Sequence, residues 1–514
     1  MNITEIKLKQ IDGLPFPRSM VVYPRKEAGQ NGLWHIALFF LRSLQGEEDT
    51  SSTHELRGMG RPSVPLSADL PPIIFGTATF NSQYNADPYA LATTAIVHRA
   101  LSAGIRAFDT SPYYGPAEEL LGRALSAYFV RSNFPRYTYR LLTKVGRIAA
   151  QSFNYSPAWI RKSIKRSLSR LDTSYLDVVY CHDVEFVSPA EVLGAVVELR
   201  RIRDVEGSIR YIGISGYPVD ILCSLAEMVL EETGEPLDAV MSYANFTLQN
   251  TKLAVEGLSR LVAAGVDVVP NASPLGMGLL RRKGVPIGSM GDFHPAPDGL
   301  RNAILAASEW VAHQGEKIEV VAIRYALESW LREGSPVGVL GPPLARFPDA
   351  DPGFTSAVTH GVGRRLGVSV MGVSNIDELD ETLRVWRSII DGLEDKGDKD
   401  DAPTSEEVEY LSEGTMVATG ASSPSSSTAA SKTPSALTPS GDIADRKWSR
   451  DRRQRILKLA EGIREILGPD WVNYTWESPG KGFVNTPCDN HCDMDEPACK
   501  TSVYDRGSRK GCRC

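Results

Sequence analysis

Between Pro72 and Arg387, eight short β-rich runs alternate with segments of helical periodicity, and this alternation constrains the fold more than any other feature of the chain. The runs are Pro72–Gly76, Ile105–Asp109, Arg140–Lys144, Leu176–Tyr180, Tyr211–Ser215, Ala239–Ser242, Val266–Pro270 and Val368–Gly372. Between them, segments such as Tyr89–Ala103, Glu118–Tyr128, Ala158–Leu171, Ala190–Arg203 and Leu253–Ala264 repeat apolar residues at i, i+3 and i+4, the pattern of helices with one buried face. Strands alternating with helices predict the α/β class with a parallel sheet. An open dinucleotide-binding sheet would carry Gly-x-Gly-x-x-Gly after its first strand, but Gly76-Thr77-Ala78-Thr79-Phe80 stands there instead. Eight units predict a closed (β/α)8 TIM barrel over 70–392, with its chemistry at the carboxyl ends of the strands. Pro336–Leu340 competes for the eighth strand, but Gly341-Pro342-Pro343 follows it with no helix start, so Val368–Gly372 is preferred.

The rest of the 514-residue chain has a different texture. Residues 1–69 mix Pro, Gly and charge around one apolar island and read as a poorly ordered extension. Residues 393–445 run from acidic residues into Ser, Thr, Ala and Pro, a disordered linker by composition. Residues 446–486 hold a helix with Ile456, Leu459, Ile463 and Leu467 on one face, then Trp471, Tyr474 and Trp476, and are expected to dock on the barrel near its mouth. The tail, 487–514, carries five of the seven cysteines. Its Cys-x2-His-Cys-x6-Cys spacing does not make a paired zinc module, so disordered thiols and no metal are expected.

No apolar run approaches the ~20 residues of a membrane helix, so no membrane span is expected. Glu5 stands where a signal peptide has a basic flank, which predicts a cytoplasmic location. The formal net charge of −7, with a basic cluster only at Arg446–Arg455, excludes a general nucleic-acid footprint.

The predicted strand ends gather chemistry. The second run leads into Asp109-Thr110-Ser111-Pro112-Tyr113-Tyr114-Gly115, the third ends at Lys144, and the fourth leads into Cys181-His182-Asp183. A phenol moves protons poorly near neutral pH unless a cation stabilises its anion, and a cleft ammonium stays charged best beside a carboxylate. Tyr114, Lys144 and Asp109 fit that dependence. Taken singly, each has a plain structural reading as a loop cap, rim charge or packing ring.

In combination these residues resemble the aldo-keto reductase family, over about Pro72 to Arg387. The resemblance implies a barrel that binds a nicotinamide cofactor, with Tyr114 carrying the proton, Lys144 and Asp109 tuning it, and His182 orienting the substrate oxygen. It assigns cofactor contacts to Gly76, Thr77, Ser215 and Ser242. It also assigns them to the loop Ser273-Pro274-Leu275-Gly276-Met277-Gly278-Leu279, closing on the pyrophosphate, and to Gly372, Ser374, Asn375 and Glu378 at the last helix start, near the adenosine. Gly216 stands where many members have Asn, and Ala272 where many place a stacking Tyr. Ala272 and Ser242-Tyr243-Ala244-Asn245-Phe246, together with Ile74-Phe75-Gly76-Thr77-Ala78-Thr79-Phe80-Asn81 and Ser111-Pro112-Tyr113-Tyr114-Gly115, resemble most the branch that oxidises aldoses of the D-arabinose or L-galactose type at the anomeric carbon.

An aldose is then the small-molecule substrate. With no Arg at Ser374 and an acid at Glu378, NAD is the expected cofactor and NADP the alternative. Two other readings stay open at this point: a general NADPH-dependent aldehyde or ketone reductase, and a cofactor-binding regulatory subunit with little turnover.

Overall fold

In a computed structural model, residues 61–286, 291–340, 365–392 and 443–486 are described. Eight parallel strands close into a barrel: Ile73–Gly76 (β1), Ala107–Asp109 (β2), Arg140–Val145 (β3), Leu176–His182 (β4), Ile209–Gly216 (β5), Ala239–Tyr243 (β6), Asn271–Ala272 (β7) and Ser369–Gly372 (β8). Closure is made by β1 against β8, from Ile73 opposite Ser369 to Gly76 opposite Gly372. Alternate residues of each strand fill the interior, where Ile74, Leu142, Val178, Tyr180, Tyr211 and Met241 pack. Residues of the opposite parity, among them Phe75, Val179, Ile212 and Val240, form the larger core beneath the helices.

The helices include Thr93–Ser102 (α1), Ala117–Leu125 (α2), Pro157–Arg170 (α3), Pro189–Arg201 (α4), Val219–Thr233 (α5), Leu258–Ala263 (α6), Asp298–His313 (α7), Ile318–Glu333 (α8), Ile376–Asp391 (α9) and Ile443–Trp471 (α10), the last kinked at Gly468. Local sequence marks their starts. Ser156 caps α3, and Ser188 with Glu191 makes a reciprocal capping box at α4, each followed by Pro at the first turn.

Three features depart from the sequence reading. The seventh strand is regular only at Asn271–Ala272, just beyond Val266–Pro270, although that run still bonds β6 through Val240 N to Val268 O, Val268 N to Asp238 O and Ser242 N to Pro270 O. Pro270 has no N–H to give a ladder, and Val269 donates to Val337 O, outside the barrel. Residues 61–69, read as part of a poorly ordered extension, pack under the barrel. Leu66 and Leu70 close the interior cluster, and Asp69 accepts from Arg140. Third, a small antiparallel hairpin, Arg147–Ala149 with Ser152–Phe153, follows β3. The eighth strand is the one preferred from sequence, while Ser335–Val337 forms a 3-10 turn. Expectations for residues 1–60, for 393–442 of the linker and for the cysteine tail, 487–514, lie outside the described residues. Among the described residues no helix is long and apolar enough to cross a membrane.

Helix α10 joins a second apolar cluster with α7 and α8, through Ile456, Leu459, Ile463 and Leu467 against residues such as Ile304 and Val311. Gly462 allows this approach, since a Cβ there would lie 2.3 Å from the Trp310 ring. Arg324 of α8 ties three helices together by bonding Glu328 at 3.0 Å, Ser388 of α9, and Ser449 of α10 at 3.1 Å. Ile463→Ala is expected to cost about 2–4 kcal/mol in urea denaturation, through lost burial and the cavity left behind. The exposed Lys458→Ala should stay within about 0.5 kcal/mol.

Candidate active site

At the carboxyl end of the barrel, Asp109 ends β2, Lys144 lies one residue from the end of β3, and His182 ends β4. Lys144 is buried. Its Nζ donates to Asp109 Oδ1 at 2.6 Å, to Asp109 Oδ2 at 2.8 Å and to Thr110 O at 3.0 Å, which accounts for all three N–H groups of an ammonium. The same Nζ lies 4.9 Å from the centre of the Tyr114 ring. Burial pushes the Asp109 carboxyl above its usual range, opposed by the Lys144 charge. Burial, reinforced by Asp109 and Asp183, pushes the Tyr114 phenol well above its usual range, so Tyr114 is a neutral proton donor in this site.

His182 packs edge-on to Tyr114 at 5.7 Å, and its Nδ1 lies 3.1 Å from Ser111 Oγ. When Ser111 donates to Nδ1, the ring carries its proton on Nε2, the nitrogen 3.7 Å from Asp183 Oδ2. Burial drives the His182 pKa down to about 3, so the imidazole is neutral at ordinary pH. Asp183 is ion-paired with Arg147, whose Nη2 donates to Tyr113 OH at 3.1 Å. Burial opposes ionisation of Asp183, but the Arg147 guanidinium bonded to it outweighs burial and holds the carboxyl below its usual range. Two neutralised ion pairs thus flank one neutral phenol and one neutral imidazole.

The remaining sequence-predicted residues divide by what they touch. Gly76 and Gly372 face each other across β1 and β8. A Cβ on Gly76 would lie 3.1 Å from Val370, and one on Gly372 3.1 Å from Gly76 O, so the lack of side chains lets β1 and β8 pack closely at this end. Thr77 braces the scaffold, its N–H and hydroxyl both donating to Asp109 O. Ser215, at the end of β5, makes only a long bond to Cys181 O at 3.5 Å, whereas Ser242 accepts from Asn245 Nδ2 at 2.9 Å.

In the loop after β7, Ser273, Gly276, Met277 and Gly278 all have left-handed backbone angles. The N–H groups of Gly276, Gly278 and Leu279 turn back to the carbonyls of Ser273, Leu275 and Gly276. Leu279 is buried in the α7/α8/α10 cluster, and Leu275 packs against its edge. The loop is pinned by His294. Nδ1 of that ring accepts from Ala296 N at 3.1 Å, so Nε2 carries the proton and donates to Gly276 O at 2.9 Å. At the start of α9, Asn375 Oδ1 caps Glu378 N, Glu378 Oε2 accepts from Ser374 N at 2.8 Å, and Ser374 Oγ accepts from Asn85 Nδ2 at 3.1 Å.

The segment after α10 crosses this rim. Gln249 donates to Trp471 O at 2.6 Å, Trp476 stacks on Tyr217 at 4.5 Å, Ser478 donates to Glu185 at 2.9 Å, and Phe483 meets Phe186 at 4.9 Å. Sequence reasoning missed Arg147, Asp183, Glu185 and Tyr217. The available signal was a charge at three positions within three residues after β3 and β4, directly beside Lys144 and His182. The absence of Asn at position 216 has a spatial reason, because a Cβ on Gly216 would lie 2.5 Å from Glu185 Oε2.

A sequence model described as the Aldo/keto reductase family matches residues 72–391. The chain belongs to the aldo-keto reductase family. It is 44% identical over 269 residues to D-arabinose 1-dehydrogenase of Saccharomyces cerevisiae, covering 52% of this chain and 78% of that one. It is 36% identical over 277 residues to L-galactose dehydrogenase of Arabidopsis thaliana, covering 53% and 80%. A probable aldo-keto reductase 1 of Glycine max matches at 31% identity over 218 residues, covering 41% and 58%. As an aldo-keto reductase the chain is an oxidoreductase that works with a nicotinamide cofactor on a small-molecule substrate.

Glu185 is pushed up to about 8, first by burial and then by Asp183. Its folded pKa exceeds the unfolded value near 4.5, so its contribution to stability is full below about pH 4.5 and is lost as pH rises toward 8. Glu185→Gln does not titrate there. Denaturation midpoints from pH 5 to 8 should therefore show the wild type losing ground relative to Glu185→Gln by up to about 1.4 kcal/mol per pH unit.

Proposed function

We propose that the protein oxidises the anomeric carbon of an aldose, of the D-arabinose or L-galactose type, to the lactone with NAD. One observation carries the chemistry: phenol, ammonium, carboxylate and imidazole meet at one rim, with the phenol over a fully paired Lys144 and beside a neutral His182. The sugar assignment draws on the two relatives named for sugar oxidation, each covered over more than three-quarters of its length.

In this reading His182 Nε2 fixes the C1 oxygen and Tyr114 exchanges a proton with it. Lys144 steadies the phenolate through the ring contact, and Asp109 keeps the ammonium in place. A bound nicotinamide supplies the hydride acceptor. The residues present fit such a group. Ser215 has a weakly engaged hydroxyl at the rim, and the start of α9 follows β8 at the same end. Gly76, Ser215, Ser242, Gly372, Ser374 and Asn375 would hold the cofactor, with the loop 273–279 over the pyrophosphate.

Tyr114→Phe should lower kcat by roughly 10²–10⁴-fold while cofactor binding, followed by fluorescence titration, persists. Near-full turnover would remove Tyr114 from its role. Because the phenol is held protonated well above its usual range, sugar oxidation in the wild type should rise with pH above 7, while the reverse reduction, which uses the protonated phenol, should stay nearly flat to about pH 10.

The start of α9 supports NAD over NADP. Glu378 is fixed there by its bond to Ser374 N, and Ser374 supplies no cation. A 2′-phosphate would meet a carboxylate, weakening NADP by about 1–3 kcal/mol. Ratios of kcat/KM for NAD and NADP with one saturating sugar should favour NAD, and Ser374→Arg should narrow the gap. A wild-type preference for NADP would instead favour the general carbonyl-reductase reading.

A further inference from the structure

We infer that the Arg147–Asp183 ion pair is the sugar-recognition element of this site: it bonds ring hydroxyls and so determines preference for aldoses over apolar carbonyl compounds. The inference rests on the sugar-oxidation reading and adds the residues that would select the substrate.

Position is the first argument. Asp183 directly follows His182, and Arg147 is the third residue after Lys144, so both sit beside the groups that would hold the reacting oxygen. Asp183 Oδ2 lies 3.7 Å from His182 Nε2. An oxygen held by that nitrogen brings the hydroxyl of the neighbouring carbon to the ion pair.

Rigidity is the second. The Arg147 guanidinium lies 3.9 Å from the centre of the Tyr113 ring, with Phe153 at 5.4 Å and Phe186 at 5.5 Å, and it donates to the Tyr113 hydroxyl. Its side chain is 16% exposed and that of Asp183 2%. Asp183 adopts φ 56°, a left-handed conformation that costs a residue with a Cβ, and the chain is held there by Tyr155 OH donating to His182 O at 2.6 Å.

Unused hydrogen-bonding capacity is the third. Arg147 Nε and Glu185 Oε2 are buried without hydrogen-bond partners within the same corner of the rim. A buried ion pair adds little net stability over an apolar pair of the same volume, so packing does not explain this one. A hydroxyl is both donor and acceptor and can bond to a guanidinium and a carboxylate at once, whereas an apolar aldehyde leaves both underused.

The test compares wild type with Asp183→Asn, which keeps the side-chain shape and removes the charge. Arg147→Lys, which keeps the charge and removes the planar fork, serves if Asp183→Asn does not fold by circular dichroism. We expect kcat/KM for D-arabinose to fall at least ~10-fold more than kcat/KM for reduction of an aromatic aldehyde, and discrimination against 2-deoxy sugar to shrink. Calorimetric binding of 1,5-anhydro-D-arabinitol, which keeps ring hydroxyls but lacks the C1 hydroxyl, should weaken at least ~10-fold in the variant. Equal losses on sugar and aldehyde, or unchanged affinity for the anhydro sugar, would overturn the inference. Wild-type binding of the anhydro sugar that is lost in the variant, without oxidation of any aldose, would overturn the sugar-oxidation reading and leave the recognition element standing.

Discussion

The buried ammonium of Lys144 is the constraint on which the rest of the site depends. A charge inside a barrel rim is tolerated only when it is paired and fully hydrogen-bonded, and here the end of β2 supplies both carboxylate oxygens and one carbonyl. That requirement fixes the register of β2 against β3 at the rim and places Asp109 where Thr77 can brace it from β1. Tyr114 then lies over a cation it does not have to neutralise. The second pair, Arg147 with Asp183, repeats the solution one strand further on. With His182 neutral between them, the rim holds four charges in two balanced pairs.

The far end of the chain contributes to the same mouth. Helix α10 is anchored on α7 and α8 by an apolar seam and by Arg324, and the strand of chain that follows it is laid across β4, β5 and the hairpin after β3. Asn473 closes the turn at its start, with φ 59° and its Oδ1 accepting from Thr251 N at 2.8 Å. Packing energy spent on a helix outside the barrel is thereby converted into a fixed wall beside Tyr217 and Glu185. A change in the α10 seam therefore reaches the mouth through backbone continuity, without touching a site residue.

How much of this was legible depends on the range of the interaction involved. Strand and helix periodicity is a short-range signal, and β1–β6 and β8 fall within a few residues of their sequence positions. The seventh strand shifted because its ladder is set by which neighbour takes each N–H: the missing N–H of Pro270 is plain in the sequence, but the Val269–Val337 bond is a long-range fact. Likewise, Leu66 and Leu70 look like scattered apolar residues in a weak region until the barrel floor above them is formed.

Sequence by itself determined that the chain has eight β/α units, that these exclude a glycine-fingerprint dinucleotide fold, and that Asp109, Tyr114, Lys144 and His182 leave consecutive strands at one end. It could do so because strand order and side-chain parity are local properties of the chain. Only the tertiary structure decided that Tyr114 is held as a neutral phenol, that Glu185 fills the space beside Gly216, that Thr77 and Leu279 face the scaffold, and that Arg147 and Asp183 form a buried pair next to His182. Those outcomes turn on burial and on contacts between residues tens to hundreds of positions apart, and neither solvent exclusion nor such distances is written in any window of the sequence.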